Sequence, residues 1–128
     1  MTDEQFEGIV ADTLDAIPDR FFDELENVII TVADEPDDDQ LASVEEWNAV
    51  FEDDELLGLY DGTPLTERNS SYGTGDLPDV ITIFKGPHER LYADEGQDVL
   101  HDQIRRTVIH EIGHFFGNDD EMLAAMGY

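Results

Sequence analysis

The sequence predicts an α+β fold: a small mixed sheet packed on one long C-terminal helix, with a second helix at the N-terminus. Apolar residues recur at helical spacing over 3–17 and again over 98–116, and short β-branched runs lie between them at 28–32, 56–60 and 80–84. The length of 128 residues suffices for one modest core and no more, so a single domain over 1–128 is expected.

Taken in order, Phe6, Ile9, Val10, Thr13, Leu14 and Ile17 form one stripe of an amphipathic helix, opened by a capping box of Thr2 with Gln5 and ended by Pro18. Phe21, Phe22 and Leu25 suggest a short second helical piece. Val28 to Val32 then reads as a buried strand. From Asp34 to Glu55 the chain has 11 acidic residues and no basic one, so a solvated loop is expected there, helical in part over 41–50. The triplet Asp37-Asp38-Asp39 lacks the alternating ligands and glycine of a calcium loop, which favours a solvated run. Leu56 to Tyr60 is the next strand. Residues 61–79, rich in Gly, Pro, Asn and Ser, read as a long loop of the kind that shapes a site. Val80 to Phe84 forms a third strand closed by Gly86-Pro87, and a helix runs from Asp98 to Phe116 with Gly117 beyond its end.

Composition removes several function classes. With 33 Asp and Glu against 6 Lys and Arg, the formal net charge of −27 repels nucleic acid and anionic lipid, leaving cations and basic partners. Cysteine is absent, which excludes thiolate zinc sites, disulfides and cysteine nucleophiles. The opening Met1-Thr2-Asp3-Glu4 is acidic where a signal peptide is basic, and no apolar run approaches a membrane span, so a cytoplasmic monomer is expected. Such acidity also suits a high-salt cytosol.

On the last helix lies His110-Glu111-Ile112-Gly113-His114. Residues i and i+4 share a helix face, so both imidazoles can reach one ion at roughly 2.0 to 2.1 Å, while Glu111 sits one residue round, within reach of a metal-associated water. A zinc ion needs a third protein ligand and an open position. Asp120 would lie about 15 Å along the axis from His110 if the helix continued, so the helix must stop, and Gly117 can turn the chain back toward the ion. Asp119, one residue earlier, is the rival ligand. By chance alone, HExxH arises about once in 75 shuffled chains of this composition, and HExxHxxGxxD about once in several thousand.

HExxHxxGxxD resembles the zincin metallopeptidases, and the aspartate in third place is similar to the snapalysin-like pattern. Leu56 to Arg68, Leu77 to Phe84 and the terminal Met126-Gly127-Tyr128 extend the resemblance to a family of small bacterial zincin-like metallopeptidases over nearly the whole chain. The resemblance implies a compact zincin fold, zinc on His110, His114 and Asp120, and peptide hydrolysis with Glu111 as general base. Tyr128, Tyr72, His88 and Arg68 are candidates to stabilise the oxyanion, each also explicable as a structural residue. Met122 and Met126 are candidates for a floor beneath the metal, or for one face of an amphipathic helix. His101, nine residues before His110, falls on the opposite helix face.

Two other readings compete. Two histidines and a carboxylate also compose the facial triad of iron oxygenases, but that site gives Glu111 no role. The alternative is a metal-binding acidic interaction module for a basic partner, with the same objection. Charge yields a further expectation. Because 33 carboxylates repel one another in a chain with 6 bases, the melting temperature should rise between low and molar potassium chloride as salt screens the repulsion, and a flat or falling curve would contradict this.

Overall fold

The computed structural model describes residues 1–19, 28–45, 48–62 and 79–115. Helix α1 spans Asp3–Asp15 and starts as the sequence requires: the Thr2 hydroxyl accepts from the Gln5 backbone at 3.1 Å, and the Gln5 side chain accepts from the Thr2 backbone at 2.8 Å. Its buried stripe is Phe6, Ile9, Val10 and Thr13. Strand β1 follows at Val28–Ala33, then α2 at Asp38–Ala42, β2 at Ala49–Glu52 and β3 at Glu55–Asp61. Strand β4 at Asp79–Phe84 runs directly into α3 at Lys85–Tyr92, and a 3₁₀ turn leads to α4 at Gln97–Phe115. Gly96, at φ 103°, makes that last turn, and its carbonyl accepts from Leu100 N at 3.1 Å. Among the described residues no helix is long and apolar enough to cross a membrane.

Three expectations change. The acidic stretch 34–55 is not simply a solvated loop, because its helical part lies at 38–42 and Ala49–Glu52 is a strand. Pairing with β3 organises this segment despite its charge, while the carboxylates stay at its edges and turns. The strand ends at Phe84 as Gly86-Pro87 suggested, but the pair itself lies in the first turn of an unexpected helix, α3, where a proline ring has no preceding helical carbonyl to strike. Helices are therefore not confined to the chain ends. The helical piece expected over Phe21 to Leu25 and most of the loop expected at 61–79 fall outside the described residues.

The sheet is mixed, in the order β1-β4-β3-β2. β1 pairs with β4 in parallel, from Val28 opposite Asp79 to Ala33 opposite Phe84, while β4–β3 and β3–β2 are antiparallel. β2 and β3 join through Asp53 and Asp54, both at positive φ (48° and 65°), a two-residue connection whose backbone twist suits a hairpin. The β2–β3 register slips between Val50 and Phe51, leaving Leu57 as an extra residue in β3. The bulge has a packing consequence: Leu57 and Gly58 both face the helices, while Leu56 and Leu59 pack with Phe84 on the other side. Both faces of the central strands are covered, which is why β3 and β4 read as nearly continuous apolar runs.

The main core lies between the sheet and helices α1 and α4. Leu100, Ile104, Val108 and Ile112 bury one stripe of α4 against Ile81, Ile83 and Leu57, each large side chain contributing roughly 1.5 to 3 kcal/mol. Two polar features are set into this apolar body. The carboxylate of Asp79, itself buried, accepts from the Tyr60 hydroxyl at 2.5 Å and links β4 to β3. His88 on α3 is wholly buried, with Nδ1 2.6 Å from the Phe84 carbonyl and Nε2 2.8 Å from the Thr107 hydroxyl on α4.

At the periphery two cations join segments. Arg90 makes paired hydrogen bonds to both Glu35 and Glu55, uniting the end of β1, the β2–β3 hairpin and α3. Lys85, the single lysine, reaches Asp3 at 2.8 Å and Glu89 at 3.5 Å, tying α1 to α3. Tyr92 donates to Glu52 on β2.

Burial holds His88 down from 6.5 to about 4, against the opposing pull of the Phe84 and Gln103 carbonyls. The unfolded chain takes a proton there below pH 6.5 that the folded chain refuses until about pH 4. The stabilisation is complete above the first value and is lost as pH falls toward the second, on the order of 3 kcal/mol at about 1.4 kcal/mol per pH unit. The difference in unfolding free energy between wild type and His88→Gln, from urea melts at pH 7 and pH 4.5, should therefore shrink on acidification.

Candidate metal centre

Helix α4 carries the HExxH segment in its last two turns. Ile109 and Ile112 pack into the core, and the rotation of the helix decides where the three chemical side chains go. His110 is exposed, His114 is half-buried, and Glu111 is completely buried. The two histidines thus lie one turn apart at the margin of the helix, and Glu111 points inward. His110 is held below the ordinary imidazole range by desolvation, although part of it reaches solvent, and secondarily by the positive charge of Arg106. Both influences favour the neutral ring that a metal ligand must be.

Glu111 has the least ordinary environment in the molecule. Neither carboxylate oxygen has a hydrogen-bond partner among the described residues. Burial pushes its pKa well above the usual range for glutamate, opposed only by the nearby Val50 backbone on β2. An orphaned buried carboxyl of this kind costs stability, and such costs concentrate at functional sites. Space for it comes from Gly58 on β3. A Cβ at that position would lie 2.7 Å from Thr107 Cγ2, 2.9 Å from Glu111 Cγ and 3.1 Å from Glu111 Oε1, so strand and helix meet this closely only with glycine there.

The site residues expected from the sequence divide by position. His110, Glu111 and His114 are brought together on one helix, whereas Asp120 and its rival Asp119 lie outside the described residues. Among the described residues no cluster of three His, Asp, Glu or Cys forms a complete metal cage. The chemistry present nevertheless fits zinc: two imidazoles at helical spacing, one of them biased to its neutral form, beside a carboxyl whose oxygens await a partner. Of the oxyanion candidates, Tyr72, Tyr128 and Arg68 lie outside the described residues, as do Met122 and Met126. His88 has both ring nitrogens engaged by Phe84 and Thr107 and is a structural residue. His101 lines a groove between α1 and α4 with Asp12 and Arg105, away from Glu111.

Sequence reasoning did not single out Gly58, Thr107 or Val50. Gly58 lay inside a run read as strand, where a glycine flanked by leucines hints at close approach; nothing in the sequence marked Val50, in a segment expected to be loop or helix.

Comparison with known proteins places the chain in a family. No curated protein matches the chain. Residues 25–128 match a family model described as zincin-like metallopeptidase, covering the sheet, α3 and the HExxH helix while leaving out α1. The chain belongs to the zincin-like metallopeptidase family.

Proposed function

We propose that the protein is a zinc-dependent peptidase, with His110, His114 and Asp120 as ligands and Glu111 as general base. The observation that carries this reading is the orphaned, buried carboxyl of Glu111 beside two histidines of one helix. A structural metal site has no use for an unpartnered acid next to its first ligand, and a packed core tolerates one poorly.

Zinc, when bound, supplies Lewis-acid polarisation of the peptide carbonyl and lowers the pKa of water. The remaining work falls to the chain. Glu111, ionised, accepts a proton from the attacking water and delivers it to the leaving amine nitrogen, so no covalent intermediate with the enzyme is required. Its apolar setting raises its proton affinity, which suits a group that must both take and hand on a proton. β2 is the outer strand among the described residues, and its Val50 backbone comes up to Glu111. An extended peptide lying along that edge would present its carbonyl to the base. The net charge of −27 favours basic or flexible peptides over acidic ones and over nucleic acid.

Two outcomes follow. One zinc per chain is expected by elemental analysis of protein purified without chelator; His110→Ala or His114→Ala should abolish it, and Asp120→Asn should weaken it far more than Asp119→Asn. Stoichiometric zinc in the double alanine variant would remove the site. Second, Glu111→Gln should keep zinc and fold while lowering hydrolysis of a peptide library by a factor on the order of 10² or more. Zinc-loaded wild type that cleaves nothing would favour an acidic binding module instead.

A further inference from the structure

Glu111 shares its helix face with Thr107, one turn earlier, and both press on the same glycine: the Cβ that Gly58 lacks would meet Thr107 Cγ2 at 2.7 Å and Glu111 Cγ at 2.9 Å. Thr107 is wholly buried, and its hydroxyl lies 2.8 Å from His88 Nε2 and 3.0 Å from the Gln103 carbonyl. The proton positions follow from donor and acceptor chemistry. The Phe84 carbonyl, 2.6 Å from His88 Nδ1, can only accept, so Nδ1 carries the proton. In the neutral ring Nε2 then holds a lone pair, and the Thr107 hydroxyl must donate to it. Its single proton is thereby turned away from Gln103, whose carbonyl Thr107 would otherwise bond within its own helix. The threonine is thus clamped between strand and helix: contact with Gly58 sets how near α4 comes to β3, and the bond to His88 sets how α4 is turned about its axis.

We propose that Thr107, held by His88, is a positioning residue for the metal centre, fixing the rotation of the HExxH helix so that Glu111 and the two histidines are aimed together. The proposal rests on the zinc-peptidase reading for what is being aimed. A rotation of about 10° moves an atom roughly 6 Å from a helix axis by about 1 Å, and displacements of that size at a reacting group cost on the order of 10²-fold in rate. Replacing the hydroxyl with a methyl removes the donor to the buried Nε2. Gly58 blocks any shift of α4 toward β3, so relief comes only by turning or withdrawing the helix, and Glu111 moves with it.

The test compares Thr107→Val, which keeps shape and removes the hydroxyl, with Thr107→Ser, which keeps the hydroxyl and removes the methyl that touches Gly58. Zinc affinity is measured by competition with a chromophoric chelator at a temperature where circular dichroism shows each variant folded, alongside kcat and KM on any peptide the wild type cleaves. Thr107→Val is expected to lose about tenfold or more in zinc affinity and in kcat with KM little changed, and Thr107→Ser to stay within about threefold of wild type on each. If Thr107→Val does not fold, Thr107→Ala, which leaves room for a water at His88, replaces it in the comparison. Zinc affinity and kcat unchanged in the folded valine or alanine variant, with only the melting temperature lowered, would overturn the proposal by reducing Thr107 to a packing residue. Thr107→Ser as impaired as Thr107→Val would also overturn it, since the methyl rather than the hydroxyl would then matter. A wild type that binds zinc but cleaves nothing retires the peptidase reading, while loss of zinc affinity in Thr107→Val still supports the positioning role.

Discussion

The closeness of β3 to α4 at Gly58 is the constraint on which the rest of the molecule turns. With strand backbone against helix, Glu111 is sealed from solvent, and a carboxyl sealed without partners among the described residues holds its proton more tightly than glutamate ordinarily does. Two local departures make that contact. The bulge at Leu57 places a leucine and a glycine consecutively on the helix side, so the sheet fills the core on one side of the contact and vacates it on the other. His88 and Thr107 then occupy polar positions that would be liabilities singly but satisfy one another across α3 and α4.

The legible parts of this structure were those with a periodic or positional signal. The stripe of α1 and its capping pair, the apolar runs of β1, β3 and β4, and the i, i+4 histidines could all be read, because helix and strand periods are fixed by backbone geometry, but β1 is not the buried strand expected: it is an outer strand among the described residues, with Ile29 exposed. β2 could not: only Ala49, Val50 and Phe51 are apolar, they are flanked by acids, and the pairing with Gly58 and Leu59 that makes them a strand is a tertiary fact. Gly86-Pro87 marked the end of β4 correctly but hid the start of α3, because the same pair that breaks a helix in its middle is permitted in its first turn. At the site, the identities of His110, Glu111 and His114 were visible but their unequal burial was not, since this depends on which side of α4 the sheet covers. The third ligand expected from the sequence, Asp120 with Asp119 as rival, lies beyond the described residues.

The charge distribution bears on function as well as on solubility. Six bases among 33 acids are too few to neutralise the surface, and Arg90 and Lys85 are spent on holding segments together. Arg90 binds the β2–β3 hairpin to α3 through Glu55 and the end of β1 to α3 through Glu35, and it keeps both carboxyls below the ordinary carboxylate range. Because these groups are solvent-exposed, the clasp contributes modestly to overall stability. Its local effect is to hold the strand that runs beside Glu111.

The parallel pairing of β1 with β4 joins residues about 50 positions apart, Val28 with Asp79 at its start. Contacts so distant in sequence are slow to form, because a long stretch of chain must close before any of them is gained. The helix against which the sheet packs comes later still. During synthesis, therefore, β1 emerges without its neighbour and the β2–β3 hairpin without cover, and the core condenses only when the HExxH helix arrives. The helix that carries His110, Glu111 and His114 is also the one that covers the sheet, so the core and this constellation form together rather than in succession.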